Sequence, residues 1–332
     1  MCDIDCPCGS SYGGYSMKNY GKFDYEDYKN DEADEADEDD EDDEDDDYDE
    51  YYEDSESGEP IILHRSPHTK AKTKANTNAL AELDALIGLE SVKNQIKRIR
   101  AVLIKNKDLD EIPNLHMCFY GNPGTGKTVV ARLMADIFYE IGILPTNKLI
   151  ETDRSGLCGE YVGQTAAKTH KKVKSAMGGV LFIDEAYTLS SNSDNDYGKE
   201  AIAALLKDME DHKGKFCVIL AGYKDEMEEM IALNPGFDSR INRKIVFPDY
   251  TLDEQMQIFD LFLTKRKYAI TAEAKAKIKI ILDERSRAEK FANARTVRNI
   301  LDGLIELQAV RTISNSDRTI TAEDVDNFLK EN

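Results

Sequence analysis

Gly121-Asn122-Pro123-Gly124-Thr125-Gly126-Lys127-Thr128 is the stretch on which the fold turns. It reads G-x-x-x-x-G-K-T, a loop whose glycines let backbone N–H groups wrap a phosphate chain. The short apolar run His116–Tyr120 precedes it and predicts a buried strand. Thr128–Ile141 follows it with helical periodicity. Strand, glycine-rich turn and helix together are the context the motif requires. In that context Lys127 supplies positive charge to the β- and γ-phosphates of ATP, the Thr128 hydroxyl suits Mg2+, and the helix start adds a partial positive charge.

Working outward, Gly179-Val180-Leu181-Phe182-Ile183-Asp184-Glu185 predicts a second buried strand that ends in two carboxylates. The C-terminal ends of strands are where open α/β sheets place their ligands. Asp184 suits the Mg2+ shell as a hard oxygen ligand. Glu185, one residue on, suits polarisation of an attacking water. Leu149–Thr152, Phe216–Ala221 and Ile245–Phe247 read as further strands, the last closed by Pro248. Between and before them, Ala79–Lys105, Thr165–Met177 and Ala201–His212 read as helices, the first on the spacing of Leu83, Leu86, Ile96, Ile99 and Leu103. Strands alternating with helices predict a parallel sheet covered on both faces, a P-loop α/β architecture over 79–249. Beyond Pro248 the strand pattern stops. Thr251-Leu252-Asp253-Glu254 is a capping box, and Thr271–Arg287, Arg295–Ile313 and a helix capped at Thr321 follow, so 250–332 reads as a small all-α lid.

Charge is unevenly distributed. Residues 1–59 hold 26 Asp/Glu and 3 Lys/Arg, so the formal net charge of −22 belongs to this tail, and the remaining chain is near +1. Asp37–Asp47 is an unbroken acidic run, and such a block repels itself and has nothing to bury, so 1–59 is expected to be disordered. Residues 60–78 form a basic polar linker with Arg65, Lys70, Lys72 and Lys74. A near-neutral core with an acidic tail disfavours nucleic acid as a partner. No apolar run is long enough to cross a membrane, and no secretory signal is apparent, which suits a cytoplasmic, reducing location. Cys2, Cys6 and Cys8 make a C-x3-C-x-C cluster, short of a four-ligand zinc site.

From about Glu82 to its C-terminus the chain resembles the AAA+ ATPases, and within them the CbxX/CfxQ group, which includes red-type Rubisco activases and stage V sporulation protein K. The resemblance rests on Leu86-Ile-Gly-Leu-Glu-Ser-Val-Lys93, the P-loop, Gly159-Glu-Tyr-Val-Gly-Gln-Thr165 and Met177-Gly-Gly-Val-Leu-Phe-Ile-Asp-Glu-Ala186. Ala221-Gly-Tyr-Lys224, Asn234-Pro-Gly-Phe237, Ser239-Arg-Ile241 and Phe291-Ala-Asn-Ala-Arg-Thr-Val-Arg-Asn299 complete it. It implies that Ile87 and Gly88 sit beside the adenine. It also implies that Arg240 is the arginine finger completing a neighbouring subunit's site, with Arg243 as the competitor. Arg295 matches the second sensor, with Arg298 the runner-up. Tyr161-Val162-Gly163 matches the pore loop, in which an aromatic grips an extended peptide without reading its sequence. In one respect the chain departs from many AAA+ proteins: Val218-Ile-Leu-Ala-Gly-Tyr-Lys224 offers no Asn or Thr as a first sensor, and Tyr223 stands near that place.

Three functions compete on this reading. The first is a ring-forming ATPase, a hexamer, that remodels a protein client in a chaperone-like way. The second is a nucleic-acid motor or clamp loader, and the third an ATP-binding interaction protein without catalysis. Lys127, Thr128, Asp184, Glu185, Arg240 and Arg295 together favour the first, with ATP and Mg2+ as its cofactors and other copies of the same chain as its partners.

Overall fold

The computed structural model describes residues 52–53, 60–61, 78–107, 113–190, 197–288, 291–314 and 316–331. Tyr52–Glu53 and Pro60–Ile61 form a two-residue antiparallel pair. The rest of the acidic tail, Cys2, Cys6 and Cys8, and nearly all of the linker lie outside the described residues.

Five parallel strands make the central sheet: β1 Met117–Tyr120, β2 Leu149–Thr152, β3 Val180–Ile183, β4 Cys217–Gly222 and β5 Arg243–Val246. Their order is β2-β3-β4-β1-β5, all in parallel register. β1, β3 and β4 are buried along their whole length, which is why they read as continuous apolar runs and not as alternation. The pleat divides them between two cores. Met117, Phe119, Val180, Phe182, Cys217 and Ile219 pack on one side with the helices Glu90–Lys105 and Lys127–Glu140. Cys118, Tyr120, Leu181, Ile183, Val218 and Leu220 pack on the other with Thr165–Ala176, Tyr197–Asp211 and Lys224–Leu233.

The helix expected over Ala79–Lys105 is two helices, Ala79–Asp84 and Glu90–Lys105. Gly88 and Leu89 both take left-handed backbone, with φ of +61° and +60°, which no helix interior accommodates. Buried Lys93 secures the break: its ammonium donates to the Leu86 carbonyl at 2.7 Å and pairs with Glu90 at 2.8 Å. Gly88 adopts this backbone without strain, and its Cα faces the Glu254 carboxylate, which a Cβ would displace.

The lid contains the helices Leu252–Lys265, Ala272–Ser286, Asn293–Arg311 and Ala322–Glu331 around its own core. The Thr251/Glu254 capping box is formed, both halves present. The lid also carries strands, contrary to the sequence reading: Ala269–Ile270 pairs in parallel with Thr319–Ile320. A buried Asp324, held by both Arg311 and Thr321, fastens the last helix beside this pair.

Candidate active site

A cavity of about 540 Å3 lies where the C-terminal ends of β1, β3 and β4 meet the lid. The phosphate-binding loop leaves β1 at Gly121 and enters its helix at Gly126, whose φ is +95°. No side chain caps that helix, so its first-turn N–H groups remain available to a phosphate. Lys127 reaches back over the loop, its ammonium 2.8 Å from the Gly121 carbonyl and 2.9 Å from that of Asn122. Burial pushes the Lys127 pKa below the usual lysine range, against the opposing pull of Asp184 and Glu185.

Asp184 and Glu185 face this loop from the end of β3. Glu185 holds φ at +47°, a conformation unusual for a non-glycine residue and costly enough to persist only where surrounding structure fixes it. Its N–H donates to Asp184 Oδ1 at 3.0 Å, and its carbonyl accepts from the Thr188 N–H and hydroxyl. The carboxylate pair is thus presented on a pinned turn. The lid cations Lys265, Arg295 and Arg298 also line the cavity, the last with its guanidinium 5.3 Å from the Phe262 ring centroid. Apolar lining comes from Leu86, Ile87, Leu89, Ile258, Leu261 and Phe262. Apolar walls and cations in one cavity fit a base linked to a polyphosphate. The oxygens of Thr128 and Asp184 give a hard donor set of the kind Mg2+ takes.

Of the residues expected at the nucleotide, Ile87, Gly121, Pro123, Gly124, Gly126, Lys127, Thr128, Asp184, Glu185 and Arg295 all line this cavity. Gly88, Asn122 and Thr125 do not. Gly88 makes room for Glu254. The Asn122 amide bonds to both oxygens of Asp249. Thr125 is fully buried, and its hydroxyl braces the loop on the Asn122 carbonyl at 2.8 Å.

The family model described as "ATPase family associated with various cellular activities (AAA)" matches residues 117–249, and the AAA lid domain model matches 251–332. A protein CfxQ homolog of Galdieria sulphuraria is 45% identical over 262 residues, covering 76% of this chain and 86% of the relative. The chain is an AAA ATPase of the CbxX/CfxQ group. Stage V sporulation protein K of Bacillus subtilis is 43% identical over 241 residues, covering 70% of this ATPase and 75% of the relative. The chloroplastic ribulose bisphosphate carboxylase/oxygenase activase of Cyanidioschyzon merolae is 42% identical over 265 residues, covering 77% and 90%. Among solved structures, the FIGL-1 AAA domain in complex with ADP superposes with a TM-score of 0.56 at 18% identity, covering 77% of this chain and 85% of that one. The RuvB branch migration motor of Thermotoga maritima gives 0.53 at 19%, covering 74% and 70%. At such identities these two speak for the AAA fold alone.

In this AAA ATPase Arg240, Arg243, Tyr161, Val162 and Gly163 do not line the cavity. Arg240 ends the short helix Pro235–Arg240 and pairs with Glu210 at 3.0 Å. Arg243 begins β5, is mostly desolvated, and gives its guanidinium to the Asn114 carbonyl. Tyr161 and Val162 are 68% and 88% exposed, and Gly163, at φ +86°, has open space around it. Tyr223, directly after β4, does line the cavity, its ring 5.9 Å from that of Tyr187. Sequence reading missed Tyr250 and Asn293. Both tie the lid to the phosphate loop; Asn293 stands within the Phe291–Asn299 stretch, but nothing in that stretch assigned it a role.

Proposed function

We propose that this ATPase works as a ring of identical subunits and uses ATP hydrolysis to pull on a protein client through Tyr161-Val162-Gly163. In this reading Lys127 and the loop N–H groups hold the phosphates, Thr128 and Asp184 hold Mg2+, and Glu185 takes the proton of the attacking water. Mg2+, when bound, neutralises charge that builds on the phosphates. Arg295 reaches the terminal phosphate from the lid.

The observation that carries the ring is the position of Arg240. Its carbonyl accepts from Asn114 Nδ2 at 2.6 Å, and Asn114 precedes β1, whereas the phosphate loop follows β1. The four residues of β1 separate the two ends by roughly 13 Å of strand rise, beyond the side-chain length of an arginine on the far edge. If Arg240 serves a phosphate, that phosphate belongs to another copy. Arg240 suits the role better than Arg243. Both guanidiniums donate to a backbone carbonyl, Arg240 to Gly236 at 3.1 Å and Arg243 to Asn114, but Arg240 also holds an ion pair with a largely exposed Glu210, which a phosphate can replace.

High exposure of an aromatic and a β-branched residue beside a glycine without neighbours supports the client-gripping role. A protein client is also what the activase relative's name describes for that protein. The test is subunit mixing. Lys127→Ala and Arg240→Ala proteins should each be inactive, and mixtures should regain ATPase because some interfaces join an intact loop to an intact finger. No recovery at any ratio, with assembly verified by light scattering, refutes a shared site.

A further inference from the structure

One residue gathers the joint between lid and phosphate loop. Asn293 opens the helix Asn293–Arg311, is fully buried and holds φ at +48°, a left-handed backbone that Asn tolerates better than most residues. Its Nδ2 donates to Asp249 Oδ1 at 2.7 Å and to the Pro123 carbonyl at 3.3 Å. Its Oδ1 accepts from the Tyr250 N–H at 2.9 Å. Asp249 accepts a second amide from the loop, that of Asn122, at 2.9 Å to each oxygen.

The backbone around Asn293 continues the contact. The Ala294 N–H donates to the Gly124 carbonyl at 3.2 Å, and the Tyr250 hydroxyl donates to the Thr125 carbonyl at 3.3 Å. The carbonyls of Pro123, Gly124 and Thr125 are therefore each taken by a group from the lid or its junction. Gly124 admits no side chain, because a Cβ there would lie 2.2 Å from the Ala292 carbonyl oxygen and 2.9 Å from the Arg295 nitrogen. Two residues beyond Asn293 stands Arg295, its N–H bonded to the Ala292 carbonyl at 2.9 Å and its side chain lining the cavity.

We propose that Asn293, paired with Asp249, is a positioning residue: it locks the first turn of the lid helix onto the phosphate loop and thereby sets where Arg295 meets the nucleotide. The proposal rests on the reading of Arg295 as a phosphate-contacting residue. A buried amide with both ends engaged has one orientation only, and the left-handed backbone fixes the direction in which the helix departs. A displacement of about 1 Å in a charged group at a reacting phosphate is enough to slow turnover substantially.

The test is a double-mutant cycle on steady-state ATPase in the full-length chain. Asn293→Gly is the informative variant, since glycine takes positive φ without strain and only the amide is lost. It should lower kcat about tenfold, and in an Arg295→Ala background the same change should cost less than about twofold, because the group it positions is gone. Equal fold-losses in both backgrounds overturn the proposal while leaving the Arg295 reading intact. Arg295→Ala at the wild-type rate overturns that reading itself. The split between turnover and affinity provides a readout independent of folding losses. Asn293→Gly should leave the ATP dissociation constant within about threefold while kcat falls, and a loss of affinity as large as the loss of kcat also counts against the proposal.

Discussion

Lowering the pH to about 5 should destabilise this protein through one buried histidine. His116, immediately before β1, is 2% exposed. Its Nδ1 accepts the Val218 N–H at 3.0 Å, so the neutral ring carries its proton on Nε2. The ring stands edge-on to Phe216 at 5.6 Å. Burial lowers its pKa from 6.5 to about 4, against a hydrogen bond with the Met209 backbone, and the charges of Arg240, Arg243 and Lys213 lower it further. The sign follows directly. Between pH 6.5 and about 4 the unfolded chain binds a proton that the folded chain refuses, so stability present above 6.5 is lost as the pH falls. At 1.36 kcal/mol per unit the full loss is about 3 kcal/mol, of which about 2 kcal/mol has gone by pH 5. The chain has no Trp, so urea midpoints are read by far-UV circular dichroism. His116→Gln removes the titration. It should be less stable than wild type near neutrality, yet its stability should change much less between about pH 7 and 5. Parallel pH profiles for the two proteins would refute the assignment of the neutral buried ring.

Other expectations follow from single contacts. Glu185→Gln should bind ATP with near-wild-type affinity while kcat falls by about a hundredfold or more; an unchanged kcat in a coupled ATPase assay removes Glu185 from the chemistry. Tyr161→Ala should keep basal ATPase within about twofold, since its ring meets solvent and not the cavity, and a complete loss of basal turnover would mark Tyr161 as structural. Asp324→Asn should cost about 2–4 kcal/mol, because Arg311 loses a buried charged partner. Burial alone would raise the Asp324 carboxyl, but hydrogen bonds from Arg311 and Thr321 outweigh it and hold it below the ordinary range. That stability is therefore lost only as the pH falls below the usual carboxylate range, and a wild-type acid-unfolding curve no steeper than that of the variant would contradict it.

The parts of this fold that could be read in the sequence are those where burial leaves a continuous trace. Val180–Ile183 and Cys217–Gly222 are apolar at every position because each face meets a separate core, and the loop after β1 is constrained at every glycine. The break at Gly88–Leu89 was not legible, since Leu83, Leu86 and Ile96 keep a helical spacing across it. What ends the first helix is a pair of left-handed residues stapled by a buried lysine. The lid strands are two residues long, too short for any period to register.

The site divides in the same way. Lys127, Asp184 and Glu185 were legible because their chemistry demands fixed types at fixed spacing beside a strand. Arg240, Arg295 and Tyr161 carry no such local signature, and only a resemblance to other proteins singles them out. Asn293 lies within the Phe291–Asn299 stretch that carries the resemblance, but neither that stretch nor its chemistry gave it a role. Its neighbours Pro123, Asp249 and Tyr250 lie between 43 and 170 residues away in sequence, and an Asn at the start of a helix looks like any other polar first-turn residue. Its importance lies in a buried amide satisfied at both ends across two subdomains, which is a property of the packed chain. In the proposed reading the motif residues hold the phosphate, whereas the placement of Arg295 depends on the long-range contacts of Asn293. That separation is what the Asn293 and Arg295 double-mutant cycle measures, and it predicts that turnover is damaged more than ATP affinity when the joint is loosened.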